Sequence, residues 1–128
     1  MAKPEARYEG FLPGQHPIAA YGDGGFRFAE MSHRGSLLLL PSGIMAIDAN
    51  TVAELSAEQL SKVIEERDSI ELLLVGTGNN LHPLTTPLRT LLLEAGVRCE
   101  VMQTGAAIRT YNILLAEDRH VAAILIAV

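Results

Sequence analysis

Two short segments of the 128-residue chain carry residue types suited to holding an anion. The first, Gly76-Thr77-Gly78-Asn79-Asn80-Leu81-His82-Pro83, follows an apolar run and offers two glycines whose small size lets backbone N–H groups come close to a ligand. Leu81 stands where the dinucleotide fingerprint has its third glycine, and no lysine follows as a P-loop requires. The segment therefore reads as an incomplete anion cradle or, more plainly, as a turn after a buried strand. The second segment is Gln103-Thr104-Gly105-Ala106-Ala107-Ile108-Arg109-Thr110-Tyr111-Asn112. A helix capped by Thr104 exposes unpaired N–H groups with partial positive charge beside small residues that allow close approach. Arg109, on the second turn, either adds a fork of donors for a carboxylate or phosphate or pairs with an acid such as Glu117. Gly76, Thr77, Gly78, Thr104 and Arg109 form the candidate ligand-binding set. Asn112 lies among Tyr111, Ile113 and Leu114; an amide buried there must be hydrogen-bonded, most simply to a loop backbone, so its expected role is structural.

The other reactive residue types assemble no catalytic group. Cys99 sits inside a predicted strand between Arg98 and Glu100 with no histidine nearby in sequence, and a thiol without activation is inert. His16, His33, His82 and His120 show neither the i, i+4 nor the Cys-x-x-Cys spacing that metal sites favour. No catalytic residue, metal ligand or cofactor is assigned on this reading. Glu65, Glu66 and Asp68 close the first predicted helix as a solvated acidic face that a partner's basic patch could use.

The elements that must position these residues follow from the hydrophobic period. Residues 1–17, with Pro4, Pro13, Pro17, Gly10 and Gly14, read as an irregular arm in which a fixed strand is not expected. Short β-rich stretches at 18–21, 26–28, 36–40 and 44–47, cut by glycines and by Pro41-Ser42-Gly43, signal antiparallel hairpins. The period then changes from 2 to 3.6. Ser56-Ala57-Glu58-Gln59 is a capping box, and Leu60, Val63 and Ile64 form one apolar stripe, predicting a helix from about 57 to 67. Residues 71–75 predict a strand covered on both faces. Thr86-Pro87 opens a second helix that Gly96 closes, 97–102 is a strand, Thr104 caps a third helix running to about 117, and 121–127 is the last strand. Strand, helix, strand, helix, strand over 71–127 is the pattern of parallel pairing through right-handed crossovers. The expectation is a single α/β domain over 1–128, with three helices and a mixed sheet that the N-terminal hairpins extend or cover.

Size and composition agree with one domain: 48% of residues are hydrophobic and 20% charged. A formal charge of −5 has the wrong sign for neutralising many phosphates, so nucleic acid is not the expected partner. One cysteine forms no internal disulfide, and no apolar run approaches the roughly 20 residues of a transmembrane helix. The start lacks an apolar signal core, and Glu5 and Glu9 argue against a transit peptide, so a cytoplasmic protein is expected.

Taken together, Val75-Gly76-Thr77-Gly78, Gly96, Glu100-Val101-Met102, Thr104, Ala107, Arg109-Thr110-Tyr111-Asn112, Glu117-Asp118-Arg119 and Val121-Ala122-Ala123 resemble a family of small, functionally uncharacterised α/β domains. That family includes the mitochondrial complex I assembly factor 3 and a vertebrate adipogenesis-associated protein. The resemblance runs from about Tyr8 to Ala127 and implies a single mixed-sheet domain, with no catalytic activity attached to its motifs. It implies protein partners, among them respiratory complex subunits or their assembly proteins. The chain departs from the family pattern at Gln103, where an acid is common, and at Ile108, where a cysteine is common. Both departures weaken the case for chemistry at the third helix.

Three readings of function follow. The first is a non-enzymatic binding or assembly protein. The second is a small-molecule or anion-binding enzyme using Gly76, Thr77, Gly78, Thr104 and Arg109, which requires the two segments to meet around one ligand. The third is self-association to a homo-oligomer through residues 121–128, should that apolar strand lie at a sheet edge.

Overall fold

The computed structural model describes residues 6–8 and 10–128. Ten strands, β1 (Ala6–Arg7), β2 (Phe11–Pro13), β3 (Ile18–Gly22), β4 (Gly25–Phe28), β5 (Met31–Arg34), β6 (Ser36–Leu40), β7 (Gly43–Ile47), β8 (Leu72–Gly76), β9 (Cys99–Met102) and β10 (Val121–Leu125), combine with helices α1 (Ala57–Glu65), α2 (Thr86–Glu94) and α3 (Thr104–Ala116). The main sheet is mixed and has the order β2-β7-β6-β10-β8-β9. β9, β8 and β10 run parallel; β6 pairs antiparallel with β10, β7 antiparallel with β6, and β2 antiparallel with β7. A second sheet, β1-β5-β4-β3, is antiparallel apart from the β1–β5 pair.

Period-two alternation sorts the main sheet into two cores. Leu38, Leu40, Leu73, Val75, Ala122 and Ile124 pack with Leu60 and Val63 of α1 and Leu88 and Leu92 of α2. Their neighbours Leu37, Leu39, Leu74, Ala123 and Leu125 face the other way, onto Ala107, Ile108 and Tyr111 of α3 and onto Phe26 and Phe28 of the smaller sheet. A sheet buried on both faces explains why 37–40 and 72–75 read as unbroken apolar runs. The N-terminal hairpins do both things expected of them: β6 and β7 extend the main sheet, and β3 to β5 cover it beside α3.

The predicted capping box of α1 forms in both directions, with Gln59 N–H donating to Ser56 Oγ at 3.2 Å and Ser56 N–H to Gln59 Oε1 at 3.0 Å. Elsewhere the structure corrects the sequence reading. The arm is not wholly irregular: β2 pairs antiparallel with β7, and buried Tyr8 donates its hydroxyl to Ile44 O at 2.7 Å. Strand pairing there uses backbone groups, which leave little trace in side-chain patterning. Residues 1–5 and Glu9 of that arm lie outside the described residues. β5, with the polar sequence MSHR, had no apolar alternation to reveal it. Gly43, which opens β7 after the turn from β6, provides space: a Cβ there would lie 2.5 Å from Leu12 O on β2. The cap residues of α2 and α3 are Thr85 and Gln103, each one position earlier than expected.

The edge reading of the last strand does not survive. β10 sits between β6 and β8, hydrogen-bonded on both sides. The geometry of the crossovers explains the placement. α2 lies on one face of the sheet and α3 on the other. Right-handed connections on opposite faces move the chain in opposite directions, so β9 falls on one flank of β8 and β10 returns to the other.

Candidate functional site

In open α/β sheets a crevice opens at the strands' carboxyl ends where neighbouring connections leave toward opposite faces. Here that place is the end of β8 and β9, from which the chain departs toward α2 and α3 respectively, and it holds both segments singled out above. Four of the five candidate ligand-binding residues converge there. Gly76 ends β8 so close to α3 that a Cβ on it would lie 2.8 Å from Thr104 Cα and 3.2 Å from Ala107 Cβ. Gly78 has φ +102, a conformation that glycine adopts without strain.

The polar groups of these residues bind one another. The fully buried Thr104 hydroxyl accepts the Gly78 N–H at 2.8 Å and donates to Ile126 O at 2.7 Å, while Thr104 N–H donates to Gly78 O at 3.0 Å. Thr77 N–H donates to Met102 O at 2.8 Å; its hydroxyl donates to Asn80 O at 2.6 Å and accepts His82 N–H at 3.2 Å. Gln103 Nε2 donates to Asn79 O at 2.9 Å, a bond that a carboxylate at this position would not form. This gives a reason for the cap shift in α3: the Thr104 hydroxyl is held by strand-end groups rather than by its own helix.

Arg109 does not join them. It is exposed on the side of α3 opposite Thr104, Ala107, Ile108 and Tyr111, sharing that face with Ile113 four residues on. No hydrogen bond or ion pair links it to Glu117 or to the Gly76 loop. Asn112 accepts Ile18 N–H and donates to Ile18 O, both at 2.9 Å, clamping α3 to β3. Buried Tyr111 beside it donates to His16 O at 3.2 Å, and burial raises its pKa well above the usual phenol range. Sequence reading missed Ser36, which is buried between β6 and the chain end; it donates to Ala49 O at 2.6 Å and accepts Ala127 N–H at 3.0 Å. Its only signal was a lone hydroxyl at the head of an apolar strand.

The remaining titratable groups are scattered. Burial, with Glu100 adding to it, pushes the Cys99 thiol up to about 11, so it is protonated at neutral pH. His33 lies edge-on to Tyr8 at 5.0 Å and burial lowers its pKa. Among the described residues no group of three or more His, Cys, Asp or Glu is placed to hold a metal. No helix among them is long and apolar enough to cross a membrane.

Fold and rim together define a small α/β domain with a mixed central sheet, in which the strand-end loop and the third helix are bound to each other. A model of the family described as a protein of unknown function (DUF498/DUF598) matches residues 18–126, and the chain belongs to that family. An uncharacterized protein of Rhodobacter capsulatus is 35% identical over 126 residues, which is 98% of this chain and 93% of that one. The Xenopus tropicalis protein named NADH dehydrogenase (ubiquinone) 1 alpha subcomplex assembly factor 3 is 30% identical over 109 residues, covering 85% of this chain. The match spans only 60% of that relative's length. A crystal structure from Bartonella henselae, described as an outer membrane protein, is 56% identical with a TM-score of 0.85, covering 90% of this chain and 97% of that one. The family resemblance read from the motifs is therefore borne out.

Proposed function

We propose that this chain is a non-enzymatic protein-binding factor of the assembly type, acting in the cytoplasm on subunits of a respiratory NADH dehydrogenase or on the proteins that assemble it. The observation that carries this reading is the mutual binding of Gly78 and Thr104. Groups that would have to face a ligand are instead joined across the crevice, which makes the rim a rigid corner of the fold. Similarity to proteins named as assembly factors supports the nature of the partners. Affinity purification of the tagged chain from its native cells is expected to recover NADH dehydrogenase subunits or their assembly proteins. Deleting the chain is expected to lower the amount of fully assembled enzyme on native gels. Recovery of the chain alone, with assembly unchanged in the deletion strain, defeats the proposal.

The second reading is a small-molecule or anion-binding enzyme using Gly76, Thr77, Gly78, Thr104 and Arg109. What favours it is position: the first four of these residues stand at the carboxyl ends of parallel strands, where such folds receive ligands. It requires Arg109 to turn toward a ligand held at the α3 start.

A further inference from the structure

Among the described residues the main sheet has one free edge that carries no proline, β9. The edge at the other end, β2, contains Pro13. In the parallel ladder to β8, Leu73 pairs with Cys99 and Val75 with Val101, and Leu73 N–H donates to Arg98 O and Thr77 N–H to Met102 O, each at 2.8 Å. This phase turns the backbone groups of Arg98, Glu100 and Met102 toward β8. The N–H and C=O of Cys99 and Val101 are thereby directed outward, while Val97, just before the strand, has its N–H held by Leu92 O of α2 at 2.9 Å.

The sequence along this edge, Val97-Arg98-Cys99-Glu100-Val101, is self-complementary about its centre. We infer that β9 is the seam of a symmetric dimer, in which a second copy of this chain adds antiparallel with Cys99 opposite Cys99 of the other copy. In that register Cys99 bonds reciprocally with its counterpart through its outward backbone groups, and Val101 comes opposite Val97 across the seam. Arg98 then stands opposite Glu100 of the other copy, in the non-hydrogen-bonded pairs where Cα atoms approach to about 4.5 Å. Charged side chains ordinarily blunt a free edge. Here they are of opposite sign and placed symmetrically, so a copy of this strand is attracted where an unrelated strand gains no such pairing.

The surroundings agree. The Arg98 and Glu100 side chains are 78% and 50% exposed and form a long ion pair of 4.0 Å within one chain, which the seam would supplement with cross-strand pairs. On the α2 face, a groove of about 500 Å³ runs beside the edge, lined by Leu92, Leu93, Val97, Cys99 and Val101. Leu93 is 80% exposed, and dimerisation would cover it. The inference goes beyond the assembly reading and does not depend on it.

Charge exchange at the seam tests it by sedimentation velocity from micromolar to millimolar protein. The wild-type chain is expected to dimerise. Arg98→Glu alone, or Glu100→Arg alone, places like charges opposite each other twice per seam and is expected to weaken the dimer by about tenfold or more. The double exchange Arg98→Glu with Glu100→Arg restores opposite signs and is expected to restore dimerisation. Both positions are exposed, and circular dichroism checks that each variant is folded. A wild-type chain that stays monomeric throughout overturns the inference, including the case where another protein's strand fills the edge. So does a dimer that the single exchanges leave intact, or one that the folded double variant fails to recover.

Discussion

The Thr104 hydroxyl accepts the Gly78 N–H at 2.8 Å and donates a hydrogen bond to Ile126 O at 2.7 Å, so one buried side chain joins the ends of β8 and β10 to the start of α3. Thr104→Val keeps the shape but strands a donor and an acceptor in a dry site. The expected loss is about 2–6 kcal/mol of unfolding free energy, since each of the two unsatisfied buried groups costs about 1–3 kcal/mol. Thr104→Ser, which keeps the hydroxyl, should retain most of that stability. Urea denaturation of the two variants makes the comparison.

Asn112 provides a similar test between layers. Its amide holds both backbone groups of Ile18, and Asn112→Ala frees them. A destabilisation of about 1–3 kcal/mol is expected. The more specific sign is local: the Ile18 amide should lose hydrogen-exchange protection while the β8 amides change only with global stability. Unchanged protection at Ile18 would show that β3 is held by other contacts.

Glu71 accepts Arg119 Nε and Nη2 at 3.1 and 3.2 Å and His120 N–H at 3.2 Å. The Arg119 hydrogen bonds, then the His120 backbone, hold its carboxyl below the ordinary value of 4.5. A carboxylate whose pKa is lowered by folding stabilises the fold above its unfolded value, and that contribution disappears as pH falls through the lowered one. The group is exposed, so the effect is modest. Glu71→Gln should lose a little stability at neutral pH and show a flatter decline below pH 4.5 in thermal melts.

Arg109 separates the two functional readings. Because it faces solvent beside Ile113, Arg109→Ala should leave any phosphate-induced change in melting temperature as it is in the wild type. A phosphate shift present in the wild type and lost in the variant would favour the anion-binding reading over the docking one.

The sequence alone determined which residues face inward and which local structure they adopt. The continuous apolar run at 37–40 and the 3.6-residue stripe of Leu60, Val63 and Ile64 are one-dimensional records of buried faces, and the Ser56–Gln59 box closes within four residues. Parallel pairing of 72–76, 99–102 and 121–125 was legible for the same reason, since strand-helix-strand spacing leaves few alternatives. The convergence of Gly76, Thr77, Gly78 and Thr104 was legible as a neighbourhood, because strand ends and helix starts collect on one rim. Only the tertiary structure decided that Thr104 would bond across that rim, that Arg109 would face away from it, and that β10 would lie inside the sheet while β9 took the edge. Those outcomes depend on which face each helix covers and on backbone groups that every residue shares, and a string of side chains does not record them.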